Sequence, residues 1–103
     1  VDVECNYSRG YPATINTPIE TQFATGVARE ICGDNMTVPD RTRDMGAEDF
    51  SYLLEKRPGC YLFLGQGNGA SWHNAAFDFN DDVSPIGASF FARLVERAQP
   101  LEE

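Results

Sequence analysis

The only histidine of the chain, His73, lies in a polar segment whose composition suits a reactive site. This segment, residues 65–83, also contains the only tryptophan, Trp72, and has no regular periodicity. Connections of such length inside compact domains are usually either functional loops or disordered. A histidine there has three roles open to it: metal ligand, general base, or a hydrogen-bonding group that organises the loop. The residue type alone does not decide between them.

Three better-defined motifs fall in the same segment, and each lacks a feature that its chemistry requires. Residues 65–70 match the dinucleotide fingerprint G-x-G-x-x-G/A, but that fingerprint must open a helix and residues 71–82 have no helical periodicity. The D-x-N-x-D run that begins at Asp78 resembles a calcium loop, but Val83 stands where the loop needs glycine. No G-x-S-x-G sequence accompanies the histidine, which argues against a serine nucleophile.

The acidic pair Glu48 and Asp49 is a second candidate, because it lies at the predicted start of a helix. Negative charge in a first helical turn complements the helix dipole, so the pair could serve the helix alone. The functional alternative is a carboxylate that orients a ligand or a metal-bound histidine. Both interpretations remain open on the residues themselves.

Helices alternating with short apolar strands are the elements that must position these residues. The first helix should begin after Thr17, with Pro18 at its first position and Glu20 completing a capping box. Its buried stripe is predicted to contain Ile19, Phe23, Val27 and Ile31. The predicted helices are 18–32, 47–56 and 85–98, and the predicted strands are 1–7 and 60–64. This order favours an α/β fold, and two strands are too few for its sheet, so we expect a piece of a longer protein.

The charge and cysteine content exclude several classes of partner. The net charge of −8 repels phosphate backbones and anionic lipid surfaces, so nucleic acid and membranes are not expected partners. No apolar run approaches the roughly 18 residues that a membrane span requires. Three widely spaced cysteines without a C-x-x-C pair argue against a disulfide framework or a cysteine-based zinc site. Reduced thiols in the cytoplasm are the simpler expectation.

Several segments together resemble the C-terminal quarter of a known family, and they occur in the same order. That family is the hippurate hydrolase branch of the aminoacylase/carboxypeptidase metallopeptidases, which includes the auxin-conjugate amidohydrolases. The resemblance extends over nearly the whole chain. The segments are R-G-Y-P-A-T-I-N at 9–16, M-G-A-E-D-F at 45–50, G-C-Y-L-F-L-G at 59–65, H-N-A-A-F-D-F-N-D at 73–81 and P-I-G-A at 85–88.

This resemblance implies a three-layer α/β catalytic domain of the zinc-exopeptidase type, with an inserted lid domain. Residues 1–7 correspond to the last strand of the lid, and residues 8–103 to the C-terminal portion of the catalytic domain. The family's lid often mediates dimerisation, so the resemblance also implies a homodimer. The remainder of the catalytic and lid domains would then be the nearest partner of this chain.

The resemblance also implies two divalent metal ions, zinc or manganese, and assigns the family's final metal ligand to His73. Ala75 stands where the family has a proline, which is a departure within this block. The family's other ligands, and the glutamate that acts as general base, belong to earlier parts of its chains. No catalytic residue is therefore carried over to this sequence.

The remaining site residues follow from the same resemblance, which places Gly46, Glu48, Asp49 and Asn74 near the substrate or behind the metal ligands. The implied reaction is hydrolysis of the amide bond of N-acyl amino acids, with hippurate as the leading substrate. We expect negligible hydrolysis by this chain alone, because one ligand does not hold a catalytic metal ion. The alternative from another class is a non-catalytic, acidic protein-interaction module.

Overall fold

Within residues 1–101, which the computed structural model describes, three α-helices are joined by long irregular segments. Helix α1 spans Pro18–Cys32, α2 spans Phe50–Leu54 and α3 spans Ser84–Ala98. Single turns of 3₁₀ helix at Asp34–Met36 and Asp81–Val83 follow α1 and precede α3. None of these helices is long and apolar enough to cross a bilayer.

The predicted boundaries of α1 are confirmed, but its capping is not. Pro18 is the first helical residue, and Gly33 ends the helix with a φ of 83°, a conformation that favours glycine. The Gly33 N–H donates to the Arg29 carbonyl over 2.8 Å. The Thr17 side chain makes no capping hydrogen bond to α1. It is bonded instead to the distant Gly59, which ties the start of α1 to the 59–61 segment.

The core lies between α1 and α3. Ala24 and Val27 are the buried residues of α1. Of the predicted stripe, Val27 is buried, Phe23 and Ile31 are half-buried, and Ile19 is 78% exposed. That part of the prediction is wrong: the buried residues of α1 lie in its middle, and Glu30 near its end bonds to Arg93 of α3.

On α3, the apolar periodicity predicts a buried stripe of Ile86, Phe90, Leu94 and Val95. Phe90 and Leu94 are half-buried, whereas Ile86 is 38% and Val95 57% exposed, so this stripe is only partly correct. The prediction of a helix over 85–98 is confirmed, with a start one residue earlier.

The two predicted strands do not form within residues 1–101, so the prediction of strands at 1–7 and 60–64 is wrong for this structure. A strand exists through backbone pairing with a neighbouring strand, and these segments have no such neighbour among the described residues. Helix α2 is also shorter than the predicted 47–56. Its first turn is tightened, since the Ser51 N–H donates to the carbonyl of Glu48, three residues earlier.

The molecule is expanded for its length. Its accessible surface is 9310 Å², whereas a compact monomer of this mass exposes about 5,800 Å². Its radius of gyration is 17.8 Å, against about 13 Å for a compact chain of 100 residues. Ala24, Val27 and Val83 are the apolar side chains that are buried among residues 1–101. The fold therefore leaves much of its apolar surface in contact with solvent.

Candidate functional site

A hydrogen-bonded clamp joins the start of α1 to the segment that leads to the histidine loop. The side-chain amide of Asn16 donates to the Tyr61 carbonyl over 2.9 Å, and the Tyr61 N–H donates to Asn16 Oδ1 over 2.7 Å. The Thr17 N–H and hydroxyl both donate to the Gly59 carbonyl, at 3.0 and 2.9 Å. The Gly59 N–H donates back to the Thr17 hydroxyl over 2.8 Å. These bonds fix residues 59–61 without a neighbouring strand.

Glu48 is engaged on both carboxylate oxygens. Its Oε1 accepts from the N–H of Phe50 over 3.1 Å, and its Oε2 accepts from the Tyr61 hydroxyl over 2.9 Å. The Phe50 N–H, followed by the Tyr61 hydroxyl, holds the pKa of Glu48 below its ordinary value of 4.5. The hydrogen bond from the Tyr61 hydroxyl to Glu48, together with burial, raises the pKa of Tyr61. Glu48 therefore stays ionised and connects the beginning of α2 to the 59–61 segment.

A series of aromatic contacts runs from α2 to the histidine loop. The rings of Phe50 and Tyr61 have centroids 5.5 Å apart, and those of Tyr61 and Phe63 meet edge to face at 5.3 Å. The series continues from Phe63 to Trp72, whose centroids are 5.8 Å apart. The Arg41 guanidinium lies over the Phe63 ring, 4.0 Å from its centroid. Aromatic pairs at these spacings are attractive, so the series supports the loop next to His73.

His73 lies in a tight turn and adopts a strained backbone conformation. Its φ is 64°, and it is the one non-glycine residue with positive φ in the part of the chain that the structure describes. The Asn74 N–H donates to the Ser71 carbonyl over 3.2 Å and closes this turn. The His73 side chain is exposed, and its ring makes no hydrogen bond within residues 1–101. Strain of this kind persists where surrounding structure imposes it, and it is enriched at functional sites.

Asn74 organises the turn that follows. Its side-chain oxygen accepts from the Ala76 N–H over 2.9 Å, and its carbonyl accepts from the Phe77 N–H over 2.9 Å. At the base of the loop, the Asn80 N–H donates to Gln66 Oε1 over 3.3 Å, and Asn80 Nδ2 donates to the Gln66 carbonyl over 3.1 Å. The segment from Gln66 to Asn80 is thus a closed loop that presents His73 to solvent.

Gly46 and Asp49 are the remaining predicted site residues, and each bonds to a residue near it in sequence. Gly46 is exposed, and its N–H donates to Asp44 over 3.1 Å. Asp49 is exposed as well, and its carbonyl accepts from the N–H of Tyr52. Among residues 1–101, no group of three histidine, cysteine or acidic side chains is placed to hold a metal ion. A metal ion bound by His73 therefore needs further ligands that the described residues do not bring to it.

Comparison with known proteins identifies the family of this chain. The family model described as peptidase family M20/M25/M40 matches residues 1–97. The chain belongs to this family. Membership in the M20 family implies an α/β peptidase fold, of which residues 1–101 contribute helices and connecting segments.

Several curated proteins are similar to this chain in sequence. The chain is 30% identical to a hippurate hydrolase of Campylobacter jejuni over 94 residues, which cover 91% of this chain and 24% of the relative. It is 34% identical over 98 residues to an IAA-amino acid hydrolase of Arabidopsis thaliana, covering 91% and 22%. It is 37% identical over 89 residues to thermostable carboxypeptidase 1 of Saccharolobus solfataricus, covering 82% and 22%.

These matches confirm the predicted resemblance to hippurate hydrolases and related amidohydrolases. The chain spans about a quarter of the length of the curated relatives it matches. No solved structure matches it significantly.

Sequence reasoning did not single out Asn16 and Tyr61, whose hydrogen bonds join the start of α1 to residues 59–61. Both fall within segments that carried the resemblance, but neither has a charged or metal-ligating side chain. The available signal was the position of Asn16 directly before the helix start at Thr17-Pro18, where polar side chains commonly bond to nearby backbone. That signal predicts a local partner, whereas the partner found is 45 residues away.

Proposed function

We propose that this chain is the C-terminal part of a metal-dependent amidohydrolase that cleaves the amide bond of N-acyl amino acids, with hippurate as the leading substrate. The observation that carries the proposal is the M20 family match over residues 1–97, which includes the exposed His73 turn. Relatives named for hippurate, for IAA-amino acids and for N-acetylcysteine all act on an acylated amino acid. The shared chemistry is therefore amide hydrolysis.

His73 would bind one metal ion through a neutral imidazole nitrogen. The side chain fits this role because it is exposed and its ring nitrogens are not engaged by other groups within residues 1–101. Zinc and manganese both accept imidazole ligands. A pair of such ions supplies a Lewis acid that polarises the scissile carbonyl and activates the attacking water. The remaining ligands and the general-base glutamate would come from other parts of the protein.

Different roles follow for the four other candidate residues. Both oxygens of Glu48 are already engaged, so we assign it to positioning residues 59–61 rather than to contact with substrate. Asp49 and Gly46 are exposed beside it and stay candidates for the substrate pocket. Asn74 would act on the metal site through the backbone of the turn that it stabilises.

The same proposal includes the wider organisation of the protein. Residues 1–7 would form the last strand of a lid domain, and residues 8–103 the C-terminal portion of the catalytic domain, in a cytoplasmic homodimer. The large exposed apolar surface supports this arrangement, since strands and helices from elsewhere would cover it. The chain alone should show negligible hydrolysis of benzoylglycine.

The test compares His73→Ala with Asn74→Ala in the complete protein. Bound metal, hydrolysis of benzoylglycine and thermal stability are measured for both variants. His73→Ala should lose metal and activity by more than the roughly 10–100-fold that loss of a group behind a metal ligand causes. Asn74→Ala should have a smaller effect, because it removes one turn hydrogen bond. Normal metal content and activity in His73→Ala would refute the proposal.

A further inference from the structure

Asn68 is the one asparagine of the chain that is followed by glycine, and it lies in the polar stretch that opens the histidine loop. Residues 65–71 contain no large apolar side chain, so little favours their burial by other parts of the protein. Asn68 and Gly69 are both exposed. Within residues 1–101, neither the Asn68 side chain nor the Gly69 N–H makes a hydrogen bond. Both groups are therefore free to react with each other.

The backbone around Asn68 has the freedom that such a reaction requires. Gly67 adopts a φ of 90°, and a Cβ added at Gly69 would meet no atom within 4 Å. Glycine lacks the Cβ that restricts backbone rotation in other residues, so the Gly69 nitrogen can approach the Asn68 side chain. Asn68 also lines an open cavity of about 470 Å³, which gives solvent access to its side chain.

We propose that Asn68 is a site of spontaneous modification, at which the asparagine is converted to aspartate and isoaspartate. The Gly69 backbone nitrogen forms a bond to Cγ of Asn68, the bond from Cγ to Nδ2 breaks, and ammonia leaves with the Gly69 amide proton. Water then opens the cyclic imide. Cleavage between the nitrogen and Cγ gives aspartate, whereas cleavage between the nitrogen and the backbone carbonyl carbon gives isoaspartate. One water is consumed and one ammonia is released, with no cofactor or oxidant.

The products change the histidine loop in charge and in length. Either product adds a carboxylate to a cavity that Asp78, Asp81 and Asp82 already line, and like charges at short range repel. Isoaspartate also places one additional carbon atom in the backbone between Gln66, at the base of the loop, and His73. A converted loop is therefore more negative, and its isoaspartate form has a longer connection to His73.

The experiment incubates the complete protein in mildly alkaline buffer and follows each asparagine by peptide mass spectrometry. Conversion at Asn68 should raise the mass of its peptide by about 1 Da and give two products that separate by chromatography. Gly69→Ala should slow this conversion about 10-fold, because a Cβ hinders the approach of the nitrogen to Cγ. The substitution should leave the fold intact, since Gly69 has no positive φ and has open space beside its Cα.

Asn74 is the internal control, because it is exposed in the same loop but is followed by Ala75. A synthetic peptide of residues 65–71 is the positive control, and its conversion sets the length of the incubation. Faster conversion at Asn68 than at Asn74, slowed in Gly69→Ala, is the expected result. Equal rates at the two asparagines, an unaltered rate in Gly69→Ala, or a complete protein that stays unconverted would each overturn the modification site. None of these measurements uses bound metal or hydrolysis, so the proposed function stands or fails separately.

Discussion

The side-chain amide of Asn16 pairs with the backbone of Tyr61 as a neighbouring strand would. One bond runs from Nδ2 to the Tyr61 carbonyl over 2.9 Å, and the other from the Tyr61 N–H to Oδ1 over 2.7 Å. Both backbone groups of Tyr61 are thereby satisfied, although no strand lies beside this residue within residues 1–101. Partly buried peptide groups need such partners, so Asn16 determines where the 59–61 segment lies.

Replacing Asn16 should therefore destabilise the protein measurably. Asn16→Ala removes the two hydrogen bonds to the Tyr61 backbone and a weaker one, of 3.4 Å, from the Asn16 amide to Cys60 Sγ. It should lower the free energy of unfolding by about 1–3 kcal/mol. Asn16→Asp should also destabilise, because it loses the donor and places a carboxylate against the Tyr61 carbonyl. Urea unfolding followed by circular dichroism measures both variants. Asn6→Ala is the control, since the Asn6 amide makes one exposed 3.3 Å bond to Glu4; an equal loss there would contradict the argument.

The Glu48–Tyr61 hydrogen bond should make stability depend on pH at both ends of the scale. Folding lowers the pKa of Glu48, mainly through the Phe50 N–H, so this contribution is fully present above the ordinary value of 4.5. It is lost as the pH falls through the lower pKa of the folded state. Folding raises the pKa of Tyr61 above 10.0, chiefly through its hydrogen bond to Glu48. That contribution is present below pH 10.0 and is lost as the pH rises through the raised value.

Tyr61→Phe tests this pH dependence. Tyr61→Phe should unfold more easily between these limits. It should also lose less stability on further acidification, since Glu48 loses the Tyr61 hydroxyl and keeps the Phe50 N–H. Alkaline destabilisation from this residue should disappear. Denaturant midpoints measured from pH 3 to pH 11, about one unit beyond each ordinary value, provide the comparison. Tyr52→Phe, at a 47% exposed tyrosine of α2, should leave the profile unchanged; parallel profiles for both variants would reject the prediction.

The helices could be predicted from the sequence because their determinants are local. Thr17-Pro18 and Gly33 mark the ends of α1, and Ser84-Pro85 marks the start of α3. A strand at 60–64 could not be predicted reliably in the same way. Whether an apolar run becomes a strand depends on a partner that is distant in sequence. In this structure the place of that partner is taken by Asn16.

The candidate site was predicted by residue type but not by arrangement. The sequence singled out Glu48 and His73 for the chemistry of their side chains. The sequence could not show that Glu48 accepts a hydrogen bond from Tyr61, which is 13 residues away. It also could not show the positive φ of His73, because polar loops adopt many turn types with similar composition. Contacts between distant residues and backbone strain are properties of the folded chain.

Glu30 should hold α1 against α3 in a salt-dependent manner. Its carboxylate accepts from Arg93 Nε over 2.7 Å and also from Arg97, both on α3. The hydrogen bond from Arg93 holds the pKa of Glu30 below its ordinary value. Glu30→Gln should lower the denaturation midpoint at low salt, and the difference should shrink near about 1 M salt. Glu96→Gln is the control, because Glu96 pairs with Arg93 within α3. If the loss of stability in Glu30→Gln were the same at low and high salt, this account would be contradicted.

The backbone conformation of His73 allows its ligand role to be separated from stability. A φ of 64° costs an L-residue about 1–2 kcal/mol but costs glycine little. After the larger entropy loss of glycine is counted, His73→Gly should be more stable than His73→Ala by about 1 kcal/mol. Both variants lack the imidazole, so in the complete protein they should lose bound metal equally.

The matched control for this comparison is Asn74, which has no positive φ and lies in the same turn. Asn74→Gly and Asn74→Ala both remove the bond from the Ala76 N–H, so they differ only in backbone freedom. Here glycine should be the less stable variant, because it gains nothing from the conformation and loses more entropy on folding. Opposite signs at the two positions, measured by urea unfolding, would establish that strain is held at His73. The same sign at both positions would remove the strain argument, while the metal content of the His73 variants would still report on the ligand role.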